Sequence, residues 1–385
     1  MKIFHISDLH IGKQLHYYNL KDEQEDILEK IIEAAEQEQP DVLIIAGDIY
    51  DKSAPSAEAY EIFDHFLNRL TELPKQIPVL LIAGNHDNAS RLSYASEFLE
   101  KSSIYISAKA PVQDEHLKKL TLTDEYGEVD FYLLPFIRPR DVRHLFDEGV
   151  VTSYDTAVAA VLEREQIDFS RRNVLVAHQF FVAGASAPEQ CDSEQAYIAV
   201  GGIDSVDIRH VERFDYVALG HIHGAQKMGA EHIRYSGTPL KYSVSEAHHK
   251  KGITVITMQE KGASLQIAQL PLEPLHDVCR LEGTLEELLR LEDAPVQEFV
   301  SITLNDEDGL YRPKDQLEER YRRILEVRLD NARVRHKLEH TMSSEEQLTP
   351  FEAFQEFYQE MNGQPMSEEE LRVIADVIET AEERV

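Results

Sequence analysis

Thiols are scarce in this chain: Cys191 and Cys279 are the only two in 385 residues, and they lie far apart. That number and spacing provide neither a disulfide framework nor a thiolate zinc motif, and they suit a reducing cytoplasm. Tryptophan is absent. No stretch reaches the roughly 18 consecutive apolar residues that span a bilayer, so no membrane segment is expected. The opening MKIFHISDLH has no apolar signal core and is not expected to be a signal peptide. Basic residues are also scarce: 39 Lys and Arg stand against 71 Asp and Glu, a net charge of −32. This deficit argues against broad, non-specific phosphate binding. It does not exclude a polyanion, because the charge is uneven. Residues 345–385 hold twelve acidic residues and only two basic ones, Arg372 and Arg384. A locally neutralised groove, with metal ions adding positive charge, still accepts a polyanion.

What is present is a folded globular composition, 42% hydrophobic, long enough for two or three domains. Lys2–Ser7, Asp41–Ala46 and Pro78–Ala83 are short apolar runs ending in Asp, Gly or Asn. Between them, Asp22–Gln37 and Ala57–Leu70 carry apolar residues at helical spacing. Strand–helix–strand order of this kind implies a buried, largely parallel sheet with helices packed on it. Phe131–Pro135, Asn173–Ala177, Tyr216–Leu219 and Gly252–Met258 read as further strands, less regularly separated by helices. The expected class is therefore α/β, a mixed-sheet sandwich with helices over residues 1–272. Residues 183–204 lack periodicity, and a loop that long suggests a substrate-facing wall.

Composition shifts after Pro271-Leu272-Glu273-Pro274. Thr284–Glu287 reads as a capping box, Phe299–Leu304 as a strand, Pro313–Ile324 as a helix and Leu325–Leu329 as a strand. A small α+β domain is expected over 275–340. In the tail, 345–385, Pro350 and Ser367 open two short acidic helices with apolar faces. Such faces pair with each other, dock on this chain, or anchor a helix of another protein.

Seven residues repeat one design. Asp8 and His10 in SDLH, Asp48 in AGDIYD, Asn85 in AGNHD, His178 in VAHQF, and His221 with His223 in GHIH all follow short apolar runs. Residues two apart at a strand end face the same side, so each D-x-H or H-x-H pair can aim at one centre. Gly47 and Gly84 permit sharp turns just before Asp48 and Asn85. Any one of these side chains alone could be a capping, surface or core residue; five segments sharing one pattern are much harder to reach by accident. Mixed carboxylate, amide and imidazole ligands suit manganese, iron or zinc rather than an all-oxygen site. Two metals side by side point to phosphoester hydrolysis by an activated water, with Asp48 the natural bridge. His86, next to Asn85, is the candidate proton donor to a leaving oxygen. Asp87 is placed to fix the turn or orient His86, and Asp51 to orient His86 or cap a helix.

The order D-x-H, G-D-x-x-D, G-N-H-D, lone His, G-H-x-H resembles the calcineurin-like metallophosphoesterase superfamily. MKIFHISDLHIG, GDIYD, and YVALGHIH followed by YSGTPLKYS resemble, more closely, its SbcD family of bacterial nuclease subunits, akin to Mre-type DNA-repair nucleases. The likeness covers residues 1 to about 260 closely, and domain order beyond. It implies one metal on Asp8, His10, Asp48 and His223, and another on Asp48, Asn85, His178 and His221. It implies catalysis by His86 and two Mn2+ ions. The activity implied is exonucleolytic on double-stranded DNA ends and endonucleolytic on single strands and hairpins, in DNA end processing, recombination and repair. It further implies a DNA-capping role for 275–340, docking of 345–385 on an SbcC-type coiled-coil ATPase, and a homodimer through Ala57–Leu70 and Leu92–Leu99. A cytoplasmic, nucleoid-associated enzyme follows. Leu9 stands where many relatives carry Trp, and Asp51 where some carry a second His. Lys13, Arg138 and Arg140 are candidate DNA contacts. The rival expectations are a small-molecule or protein metallophosphatase on the same scaffold, and a non-catalytic scaffold, which would be expected to lack a ligand.

Overall fold

A computed structural model describes residues 1–330, except 114, 185, 196–204 and 308–309, together with 358, 366, 367, 371 and 374. The tail helices expected over 345–385 therefore lie almost wholly outside the described residues. The chain divides into two compact units. The larger contains Met1–Leu281, Glu292–Ile302 and Asp315–Glu326; the smaller contains Glu282–Leu291, Thr303–Lys314 and the described residues from Val327 onward.

In the larger unit, strict alternation of apolar side chains builds two sheets that share a core. Along Val42–Ile45, Val42 and Ile44 face one side, and Leu43 and Ile45 the other. Val79–Ile82 repeats the pattern: Leu80 and Ile82 point inward, Val79 and Leu81 outward. This is the period of two expected of a strand buried on both faces. The first sheet has six strands, in the order Gln266–Pro271, Gly252–Thr257, Lys2–Ile6, Val42–Ile45, Val79–Ile82 and Ile104–Ser107. The last four run parallel. Gly252–Thr257 returns from far along the chain to pair antiparallel with Lys2–Ile6, Phe4 opposite Val255. The second sheet also has six strands, ordered Gln226–Met228, Ala230–Tyr235, Tyr216–Gly220, Arg172–His178, Gly127–Leu134 and Lys118–Asp124. Ile3, Ile44, Leu80, Phe131, Val176 and Ala218 fill the space between the sheets.

Helices cover the outer faces. Lys21–Glu38 buries Ile27, Leu28, Ile31, Ile32 and Ala35 against the first sheet. Ala57–Thr71, capped by Ser56, buries Ile62, Phe63, Phe66, Leu67 and Leu70 beside it. Each of these Ile, Leu and Phe side chains contributes roughly 1.5–3 kcal/mol through burial. Tyr154–Arg164 plays the same part on the second sheet with Ala157, Val158 and Val161. The architecture is thus helix–sheet–sheet–helix. Its value to the site is that parallel strands from both sheets end on the same edge.

In the smaller unit, Thr284 and Glu287 form the expected capping box at the start of Leu285–Arg290. One local expectation needs correction. The helix over Pro313–Ile324 stops at Glu318, and Arg323–Leu329 is a strand. Tertiary pairing outweighs local helix preference here: Arg322 N donates to Val296 O, and Ser301 Oγ to Glu326. Among the described residues no helix is long and apolar enough to cross a membrane.

Candidate metal centre

The seven residues singled out in the sequence converge. Asp8 and His10 follow Lys2–Ile6, and Asp48 follows Val42–Ile45. Asn85 follows Val79–Ile82, His178 ends Arg172–His178, and His221 and His223 follow Tyr216–Gly220. The chain turns sharply at these strand ends, and the turns cost strain. Asp8, His10, Asp48 and His221 all have positive φ, at 54°, 44°, 50° and 100°. Non-glycine residues pay about 1–3 kcal/mol each for such backbone, and it clusters where function requires it. Main-chain bonds hold the turns: Asp8 N donates to Gly47 O at 2.9 Å, and His10 N to Asp48 O at 3.0 Å.

Two glycines let the strand ends close up. A β-carbon on Gly47 would collide with the His178 ring, and one on Gly84 with the Asp48 carboxylate. Gly47 also has φ of 91°, a second reason for glycine there.

The side chains form two overlapping groups. His10 Nε2 and His223 Nε2 lie 3.1 Å apart, with Asp8 close enough to share a cation. His178 Nε2 lies 3.1 Å from Asn85 Oδ1 and 3.3 Å from Asp48 Oδ2. His221 Nδ1 lies 2.9 Å from the same Asn85 oxygen. Asp48 Oδ2 is also 3.8 Å from both His10 and His86 Nε2, which puts Asp48 between the groups. Asp8 accepts from His221 N, at 3.0 Å to one carboxylate oxygen.

Burial sets the electrostatics. His221 is driven down to about 3 by burial and then by His178, so its ring is neutral. Burial also pushes His178 down, but the Asp48 carboxylate outweighs it and lifts the ring to about 9. Asp48 is held ionised against its burial, first by His178 and then by His86. Asp8 moves upward, chiefly through burial.

The donor set fits a divalent cation. Carboxylate oxygens, an amide oxygen and ring nitrogens crowd one buried space, the donor mixture such an ion takes. His10 Nδ1, buried without a hydrogen-bond partner, is a further sign of incomplete polar balance.

The remaining predicted residues fall around this centre. His86 N donates to Asp48 Oδ1 at 2.9 Å, and its Nδ1 lies 2.7 Å from the Asp51 carbonyl. A carbonyl only accepts, so Nδ1 carries the proton and Nε2 turns toward Asp48. Asp51 thus touches His86 through its main chain. Its carboxylate takes Lys13 Nζ at 2.8 Å and lies 3.7 Å from His10 Nδ1. Asp87 fixes the turn, accepting from Gly84 N, Ile49 N and Tyr50 N. Burial, and then Asp48, raises its carboxyl to about 6. Lys13 is committed to Asp51, Arg138 lies over the Phe136 ring, and Arg140 is exposed beside Asp141.

Sequence reading missed a supporting layer. Ser193 Oγ lies 2.8 Å from His223 Nδ1 and 2.8 Å from Glu246. Glu194 accepts from His223 N. Lys251 pairs with Glu246 at 2.6 Å and donates to His223 O at 2.9 Å. The one available signal was a Glu and a Lys close after YSGTPLKYS; nothing marks Ser193.

Comparison with known proteins finds two family models that match the chain. The calcineurin-like phosphoesterase model matches residues 1–225, and the model described as a Type 5 capsule protein repressor C-terminal domain matches 274–362. A protein of Staphylococcus saprophyticus subsp. saprophyticus, named as the D subunit of nuclease SbcCD, is 30% identical over 382 residues, 98% of each chain. A protein of the same name from Staphylococcus epidermidis is 32% identical over 329 residues, 84% of each.

Proposed function

The chain belongs to the calcineurin-like phosphoesterase family, in the line of the SbcCD nuclease D subunits, and from that premise we propose that it is a metal-dependent DNA nuclease. The observation that carries the reading is the convergence of buried acceptors at one sheet edge, with His86 beside them.

In this reading Asp8, His10, Asp48 and His223 hold one ion, and Asp48, Asn85, His178 and His221 the other. Both ions are Mn2+. Such a pair, when bound, lowers the pKa of water and neutralises charge on a phosphate. The protein's own contribution is geometric. Asp48 lies between the groups and holds His86 through its main-chain N–H. Asp51 O fixes the His86 tautomer and leaves Nε2 on the site side, 3.8 Å from Asp48 Oδ2. Protonated at Nε2, His86 hands its proton to the leaving oxygen as the ester bond breaks.

The substrate is DNA: exonucleolytic cleavage of double-stranded ends and endonucleolytic cleavage of hairpins and single strands, in end processing and repair in the cytoplasm. The names of the two relatives, both the D subunit of nuclease SbcCD, support a nuclease that works with a further subunit; in this reading that partner is an SbcC-type coiled-coil ATPase. Residues 1–272 are the nuclease domain, 275–340 a DNA-capping domain, and 345–385 the segment that docks on the ATPase. A homodimer forms through Ala57–Leu70 and Leu92–Leu99. In its support, Tyr94 and Phe98 are 81% and 67% exposed there, large apolar rings left open to solvent.

The test is a cleavage assay with the full chain and Mn2+ on a labelled DNA hairpin, beside a chromogenic phosphodiester and a phosphomonoester. Cleavage of the hairpin and the diester, stimulated by the ATPase partner and ATP, is expected. Turnover of the monoester with DNA left intact would instead make the chain a phosphatase, the alternative favoured by its net charge of −32.

A further inference from the structure

Three rings at the centre have Nδ1 against an acceptor or relay, and the partners differ in kind. His178 Nδ1 lies 2.7 Å from Ala46 O, and His86 Nδ1 lies 2.7 Å from Asp51 O. Both partners are main-chain carbonyls at strand ends or turns. His223 Nδ1 instead meets a side chain, Ser193 Oγ, at 2.8 Å. Ser193 sits in the helical turn Asp192–Gln195, within the segment 183–204 that has no apolar periodicity.

The direction of the bonds follows from the partners. Glu246 is fully buried and paired with Lys251 at 2.6 Å. Its Oε1 also accepts from Ser243 Oγ at 3.0 Å and from Tyr242 N at 3.2 Å. An ionised carboxylate can only accept. The single Ser193 hydroxyl proton therefore goes to Glu246 Oε1, 2.8 Å away. Ser193 Oγ is left to accept, and His223 Nδ1 must supply the proton. The opposite assignment would leave two bare oxygens facing each other across 2.8 Å. Direct contact cannot replace the relay, since His223 Nδ1 and Glu246 Oε1 are 3.8 Å apart. With the proton on Nδ1, the Nε2 lone pair faces His10 Nε2, 3.1 Å away.

We propose that Ser193 is a positioning residue that relays Glu246 to His223, fixes its Nδ1–H tautomer, and so sets the affinity of one metal site and not the other. The site affected is the one with Asp8 and His10. In the site with Asn85, His178 and His221, His178 takes its orientation from Ala46 O and not from Ser193, so that site is spared. This inference rests on the ligand assignment given above. It makes the segment carrying Ser193 a point from which one metal can be loosened selectively.

The test is calorimetric titration of Mn2+ into the metal-free full chain. Ser193→Ala should weaken one of two binding events by about 10–100-fold, the usual cost of losing a hydrogen-bond partner behind a ligand histidine. The other event should be unchanged, and Ser193→Thr, which keeps the hydroxyl, should restore the first. Nitrogen-15 spectra of histidine-labelled wild-type chain, assigned with His223→Gln, should show His223 protonated at Nδ1. Equal affinities in wild type and Ser193→Ala, equal weakening of both events, or an Nε2-protonated His223 would each overturn the relay. Should Ser193→Ala fail to fold, the wild-type tautomer still decides. If His223→Gln binds both ions as the wild type does, the ligand assignment itself falls, an outcome distinct from failure of the relay alone.

Discussion

Arg172 and Asp48 are equally buried, each 2% exposed, and both lie in the larger unit. Their surroundings are opposites. Arg172 donates to both Asp124 oxygens, to Gln259 O at 2.9 Å and to Gly127 O at 2.8 Å. The Met1 ammonium completes the set, 2.8 Å from Asp124. Every strong contact there joins a donor to an acceptor. Around Asp48 the neighbours are the His86 main-chain N–H at 2.9 Å, imidazoles at 3.3–3.8 Å, and the Asp8 carboxylate, close enough to share a cation with it. The first cluster pairs its charges directly, although Arg172 Nε has no hydrogen-bond partner, and it holds strands together. The second gathers carboxylates and imidazoles, the donor mixture a divalent cation takes. Burial of charge therefore does not distinguish a site from a strut; the kinds of side chain gathered around the charge do.

The sharpest way to break this distinction is to remove one carboxylate from each cluster. Asp48→Ala should take metal-dependent cleavage to background and abolish metal binding, whereas Asp124→Ala should leave both intact. Metal titration and the hairpin assay read this directly, and retained binding in Asp48→Ala would defeat it. Within the metal cluster, His86→Ala should lower cleavage by about 10²–10⁴-fold, the usual worth of a positioned proton donor. Its metal affinities should stay as in wild type; loss of a metal would make His86 a ligand instead.

Asp124→Ala should in turn cost about 3–5 kcal/mol of unfolding free energy, because it strands the buried Arg172 charge. Its pH dependence has a defined sign. Burial would raise the Asp124 carboxyl, but the Arg172 bonds and the N-terminal ammonium outweigh that and hold it well below the ordinary range. A depressed folded pKa contributes stability that is present above the unfolded value, about 3.9. That stability is lost as pH falls from there toward the folded value. Urea unfolding of metal-free protein should therefore show a shallower acid limb in Asp124→Ala than in wild type. Parallel limbs would remove Asp124 from the account.

The smallest effect expected is on melting. An ion present at a hundred times its dissociation constant stabilises by about 2.7 kcal/mol. Chelation should lower the wild-type midpoint by several degrees and leave Asp48→Ala unmoved. An equal shift in both would mean that the ions bind elsewhere.

Much of this was legible in the sequence because strand ends write their chemistry locally. Short apolar runs marked Lys2–Ile6, Val42–Ile45 and Val79–Ile82, and each run stopped within a few residues of a ligand type. The antiparallel return of Gly252–Thr257 onto Lys2–Ile6 was not legible, since pairing across roughly 250 residues leaves no local trace. The same holds for Ser193, Glu246 and Lys251, which matter only because the fold stacks them behind His223. Asp51 shows a further limit. It acts on His86 through its carbonyl, an atom every residue possesses, so side-chain chemistry could not foretell that contact.

The most direct measurement is the equilibrium binding of Mn2+ to metal-free full-length wild type and Asp48→Ala. Two ions per wild-type chain and none on Asp48→Ala are predicted. A single ion per wild-type chain, or two on Asp48→Ala, would contradict a paired centre bridged by Asp48.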